Sequence, residues 1–184
     1  IDVAILYRKS VMTPSSITRR QPLTDDGDTL QTRDMLNVYM SLKSASEGHQ
    51  GIHFIVNHHP SKYGGEEESR IKRHFAMKTL KSLVDSLNTV SPGQKIIAMG
   101  DFNDTPDSEP FEIISQVLVN KGFPLHEKGL GTIRYEGKWD LIDMFLVSPD
   151  IDQNTQMEIV KVPFLMVRDT KHPGEKPLRT YSGP

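Results

Sequence analysis

Ile96-Ile97-Ala98-Met99-Gly100-Asp101-Phe102-Asn103-Asp104-Thr105-Pro106 is an apolar run that breaks at a glycine into an acid, an aromatic and an amide. A short apolar run bounded by turn formers reads as a strand covered on both faces. The chain leaves the sheet at Gly100, and Asp101 and Asn103 follow two residues apart. In extended backbone such residues share a face, so both can address one ligand. Carboxylate and amide oxygens suit a hard cation such as Mg²⁺, and the amide can also donate to a phosphoryl oxygen. The alternative is an ordinary turn in which Asp and Asn bond their own backbone.

Upstream of this strand, Ile71, Phe75, Leu80, Leu83, Val84 and Leu87 fall near one face of a 3.6-residue repeat. Glu66, Glu67 and Glu68 stand where a helix dipole favours negative charge, and Ser91-Pro92-Gly93 stops the helix. Further back, Leu36 to Leu42 and Ile52 to His58 alternate as two strands of an antiparallel hairpin, with a turn at Gly48 to Gly51. Asp2 to Tyr7 reads as a buried opening strand, and the polar stretch around Pro14, Pro22 and Asp25-Asp26-Gly27-Asp28 as a long surface loop. Downstream, Pro110 opens a short helix through Phe111, Ile114 and Leu118 that Gly122 closes. Leu141 to Val147 and Ile159 to Val167 are expected strands. Strands dominate, with a few helices interspersed, so the expected class is an α/β (α+β) sandwich of mixed or antiparallel sheet. At 184 residues the chain is long enough for one domain, 1–184.

Composition narrows the function. The chain holds 22 basic and 24 acidic residues, a net charge of −2, without the basic footprint of most nucleic-acid binders. It has no cysteine, which excludes disulfides, thiolate metal sites and a cysteine nucleophile. No apolar run approaches the ~18 residues that span a bilayer.

Two further segments carry candidate chemistry. In Val56-Asn57-His58-His59-Pro60-Ser61-Lys62, His58 shares the parity of Ile52, Phe54 and Val56 and emerges from the core-facing side at a strand end. There an imidazole can donate to a phosphate oxygen or shuttle a proton, with Ser61 and Lys62 adding a hydroxyl and a charge. The alternative is a loop, or a hydrogen-bonded core histidine. In Trp139-Asp140-Leu141-Ile142-Asp143-Met144-Phe145-Leu146-Val147-Ser148, Asp143 interrupts an apolar strand, whereas Asp140 reads as a turn residue. A carboxylate inside a core must be paired, ligating or aimed into a cavity. A structural ion pair or an edge charge facing water is the plainer alternative. Reading His58 and His59 as Zn²⁺ ligands finds no recognisable ligand spacing.

Taken together, the His-x-x-Ser strand end, Gly-Asp-Phe-Asn and Ile-Asp-x-x-Leu-Val-Ser, in this order, resemble the endonuclease/exonuclease/phosphatase family. The resemblance runs from the opening segment to Ser148. It implies a four-layered sandwich, two sheets face to face with helices outside, and one Mg²⁺ or Mn²⁺ at their upper ends. By the same resemblance Asp101 orients or deprotonates the attacking water, and Asn103 positions that water or holds the phosphate. His58 contacts the phosphate, and Asp143 holds a second histidine. Arg33, in Thr32-Arg33-Asp34, resembles an arginine near the phosphate in some members; its alternative is a surface ion pair. The implied activity is metal-dependent hydrolysis of a phosphate ester: nucleic acid, nucleotide, phospholipid or inositol phosphate. The rival reading is a non-catalytic binding module that retains the fold.

Two parts of the family pattern are missing from the sequence: an early strand ending in a metal-ligating Glu, and a closing Ser-Asp-His run. His172, in Lys171-His172-Pro173-Gly174, reads as a turn residue. The expectation is therefore a truncated domain whose partial metal site, Asp101 and Asn103, binds weakly and turns over little substrate.

Overall fold

The chain is described by a computed structural model over residues 3–44, 51–62 and 65–178. Its first half contains β1 (Met12–Arg20), β2 (Met35–Leu42), β3 (Ile52–His58), α1 (Glu66–Val90) and β4 (Lys95–Asp101). Its second half adds α2 (Glu109–Ile114), β5 (Val119–Asn120), α3 (Phe123–His126), β6 (Ile133–Tyr135) and β7 (Lys138–Asp140). It ends with β8 (Asp143–Val147), α4 (Pro149–Asp152), β9 (Met166–Arg168) and β10 (Glu175–Pro177).

Six strands form one mixed sheet in the order β1-β2-β3-β4-β8-β5. β3 and β4 are parallel and their neighbours antiparallel. A parallel pair needs a crossover, and α1 supplies it. The expected mixed sheet with helices outside is thus present. Among the described residues its companions are two two-stranded sheets, β6-β7 and β9-β10, rather than a second large sheet.

α1 buries Ala76, Met77, Leu80, Leu83 and Val84 against Ile55, Ile96, Ala98, Met144 and Leu146, and Phe102, Phe111 and Ile114 complete this core. These strand residues lie on one face of the sheet. The expected core-facing parity in β3 is therefore reversed: Ile55 enters the core, while Phe54, Val56 and His58 occupy the other face. There Met40, Phe54 and Met99 line a groove with Ile5, Leu6 and Val11. Ile97 and Met99 are half-buried, so β4 is fully covered on the helix side alone.

Several expectations fail for identifiable reasons. Residues 3–7 form no strand, and Leu6 is 99% exposed. The outer position belongs instead to β1, inside the stretch read as a loop. An edge strand needs little apolar surface, and its register shift between Pro14 and Ser16 accommodates the missing proline donor. Ile71 is exposed, and its expected place on the buried stripe belongs to Arg73. α2 stops at Ile114, and the chain turns through Leu118 into β5. Of the expected Ile159–Val167 strand only Met166 and Val167 pair, within β9, because Pro163 opens a 3₁₀ turn and Phe164 faces solvent. The expected turn at Gly48 to Gly51 lies, except for Gly51, outside the described residues. No described helix is long and apolar enough to cross a membrane.

Candidate active site

The ends of three adjacent strands make the site. His58 on β3 is in register with Asp101 on β4, and Asp101 with Asp143 on β8. Residues opposite one another on neighbouring strands project to the same face. His58 Nε2 stands 3.8 Å from Asp101 Oδ2. Gly100 permits this approach: its φ is +135°, and a Cβ there would lie 2.0 Å from the Asn57 carbonyl oxygen.

Beyond Asp101 the backbone departs from the extended form assumed in the sequence reading. Phe102 swings fully into the core, its ring 4.9 Å from that of His59. Asn103 takes a left-handed conformation, φ 52°. Its backbone N–H donates to Asp101 Oδ1 (2.8 Å) and its side-chain Nδ2 to the His59 carbonyl (2.9 Å). The turn alternative is therefore realised at Asp101 Oδ1, and Asn103 is brought back toward Asp101 by a turn, not by strand parity. Asn103 Oδ1 accepts no hydrogen bond from a described residue.

The electrostatics follow from burial and these neighbours. Burial pushes the Asp101 carboxyl up to about 6; Asp143 adds to the rise, while the Asn103 N–H and Arg33 oppose it. The His58 imidazole is held below its ordinary value by burial and then by Arg33, against the pull of Asp143. Arg33, on the loop before β2, is thus close enough to act on both. Its neighbour Asp34 pairs with Arg19 (3.6 Å). Asp143 itself is exposed, not buried as expected, so no buried carboxylate cost attaches to it. Its N–H donates to Thr132 Oγ1, as does that of Ile142. Asp140 is a β7 strand residue, not a turn. Ser61 is exposed on the loop after β3. His59 is a core histidine: burial, aided by His58 and Arg73, lowers it to about 3 and keeps it neutral.

Asp101 and Asp143 form the floor of a cleft of about 570 Å³. Its far wall comes from β6-β7 and β9-β10, with Arg134, Tyr135, Lys171 and His172. Arg134 ties the two hairpins together through Asp169 Oδ2 (3.3 Å) and the carbonyls of Gly137, Pro173 and Glu175. His172, read as a turn residue, is on a bend but faces this cleft. No spacing in the sequence announces that wall. A second missed group did leave a signal: Arg73 is a charge on the apolar stripe of α1, and Asp104 belongs to the run quoted first. Arg73 is 1% exposed, and its Nε donates to Asp104 Oδ2 at 2.7 Å.

The six-stranded mixed sheet with helices outside it places the described residues in the mixed α/β class. The chain belongs to the Endonuclease/Exonuclease/phosphatase family, whose sequence profile matches residues 1–184. Among solved structures it is similar to the human Nocturnin catalytic domain with bound sulfate, at 16% identity and TM-score 0.53, covering 77% of this chain and 50% of that one. Truncated Caenorhabditis elegans TDP2 aligns at 12% identity and TM-score 0.52, covering 75% and 53%. The Bacteroides thetaiotaomicron mannosyl-6-phosphatase Bt3783 aligns at 15% identity and TM-score 0.51, covering 78% and 55%. At these identities the likeness is one of fold, and the chain spans about half the length of these structures. No curated protein sequence matches it.

Proposed function

We propose that this chain carries the phosphate-binding and water-orienting part of a divalent-metal-dependent phosphoesterase. The observation that supports this reading most is the in-register row His58, Asp101 and Asp143, with Asn103 turned back against it. Asp101 serves as the base that orients or deprotonates water, and a carboxyl raised toward neutrality is suited to that work. Asn103 and His58 hold the phosphate, and Arg33 neutralises its charge. Ser61 adds a hydroxyl from the neighbouring loop.

The donor set fits a hard cation in part. Among the described residues no group of three or more His, Cys, Asp or Glu could hold a metal ion. Asp101, Asp143 and the Asn103 amide are nevertheless the oxygen donors from which Mg²⁺ or Mn²⁺ sites are built, with water and substrate phosphate completing the shell. When bound, the cation polarises the phosphoryl oxygens and lowers the pKa of water. The rival reading is a non-catalytic binding module that retains the fold.

Nucleic acid, nucleotide, phospholipid and inositol phosphate esters, assayed with Mg²⁺ and with Mn²⁺, discriminate the two. Hydrolysis that stops on chelation supports the enzyme. Saturable phosphate binding with no metal-dependent turnover of any ester overturns it in favour of the module.

A further inference from the structure

We propose that the buried Arg73–Asp104 pair is a positioning device that sets the Asp101–Asn103 turn and the loop after β3 relative to one another. The kinetic part of this inference rests on the phosphoesterase reading above; the structural part stands without it. Asp104 is the node at which three elements meet. One carboxylate oxygen accepts from Arg73 Nε on α1 (2.7 Å), and the other faces Lys62 Nζ on the loop after β3 (3.5 Å). Lys62 also pairs with Glu66 at 3.4 Å. Arg73 in turn donates to Ser69 Oγ (3.0 Å) and Glu66 Oε1 (3.3 Å), so its guanidinium is held from three sides.

Burial makes this arrangement costly as a means of stability. Arg73 and Asp104 are nearly inaccessible, and apolar residues of similar volume often replace such pairs without loss. What an apolar pair cannot supply is direction. Asn103, the residue before Asp104, sits at φ 52°, a left-handed conformation that asparagine adopts more readily than other non-glycine residues. Its backbone and side-chain hydrogen bonds hold one side, and the Arg73-anchored carboxylate holds the other. The Lys62 contact extends the same control to Ser61. Arg73 and Asp104 thus act through Asn103 and Ser61 rather than on substrate.

The test is the double variant Arg73→Met/Asp104→Val, with Asp104→Asn as a milder second variant that keeps the acceptor for Arg73. Three experiments are run on the full chain: thermal unfolding, amide hydrogen exchange at Asn103, and steady-state kinetics, giving kcat and KM, on a phosphate ester with Mg²⁺. The expected result is a folded protein whose Asn103 backbone exchange rises at least ~10-fold while β3 and β4 amides keep their protection. kcat falls ~10–100-fold with KM within ~3-fold, since misplacement by about an ångström costs rate on that order. Should the double variant fail to fold, Asp104→Asn is expected to show the same pattern in reduced degree. Folded variants with unchanged Asn103 exchange and unchanged kcat overturn the proposal. Faster Asn103 exchange in a variant of a chain that hydrolyses no ester supports the positioning role and overturns the hydrolase reading instead.

Discussion

Asp101→Asn separates the chemistry of the site from its stability. Burial raises the Asp101 carboxyl from 3.8 to about 6, so at neutral pH the folded chain carries a carboxylate that the unfolded chain ionises more readily. A group whose folded pKa is raised contributes stability that is fully present below the unfolded value, near 3.8, and lost as pH rises through about 6. The full shift of about two units corresponds to ~3 kcal/mol at 1.36 kcal/mol per unit. The side chain is 30% exposed, and solvent screening reduces that to ~1–2 kcal/mol. Asparagine removes the charge, while its Oδ1 still accepts the Asn103 N–H. In chelator at pH 7.5, Asp101→Asn is therefore expected to stabilise the chain by ~1–2 kcal/mol, or roughly 3–6 °C in Tm for a protein of this size. Near pH 4 the gain disappears. Any metal-dependent turnover is expected to fall at least ~100-fold in the same variant. Melting curves at the two pH values test the first half. A variant less stable than the parent at pH 7.5, or equally stabilised at both pH values, refutes the electrostatic reasoning. Near-normal turnover removes Asp101 from the mechanism.

His59 is held neutral to about 3, so its contribution is complete above the unfolded value of 6.5 and lost as pH falls toward 3, at up to ~1.4 kcal/mol per pH unit. His59→Phe is expected to flatten that acid limb in denaturant titrations at pH 4 and 7, whereas an unchanged limb refutes the assignment. Gly100→Ala places a Cβ 2.0 Å from the Asn57 carbonyl at a φ of +135°, and is expected to cost at least ~2 kcal/mol in urea unfolding. Arg33 lowers both His58 and Asp101, so Arg33→Ala is expected to raise both and shift the pH–rate profile to higher pH, with a higher KM. A profile that stays in place detaches Arg33 from the site.

The hairpin β2-β3, the helix α1 with its Ser91 stop, the strand β4 and the mixed α/β class were legible in the sequence because each rests on a local period or a local stop signal. So were the three segments that carry His58, Asp101 and Asp143. Tertiary structure alone decided what meets what. β1 was invisible because an edge strand pairs through its backbone, which leaves no mark in apolar periodicity. The parity of β3 could be read, but which of its faces meets α1 depends on the crossover, and the outcome reversed the expectation. Asp101 and Asn103 converge through a left-handed turn rather than along an extended strand, a backbone choice made by Phe102 entering the core. Arg73 and Asp104 are 31 residues apart, and Asp101 and His172 farther still; pairings at such separation are set by how α1 and the two hairpins pack, which no local pattern encodes.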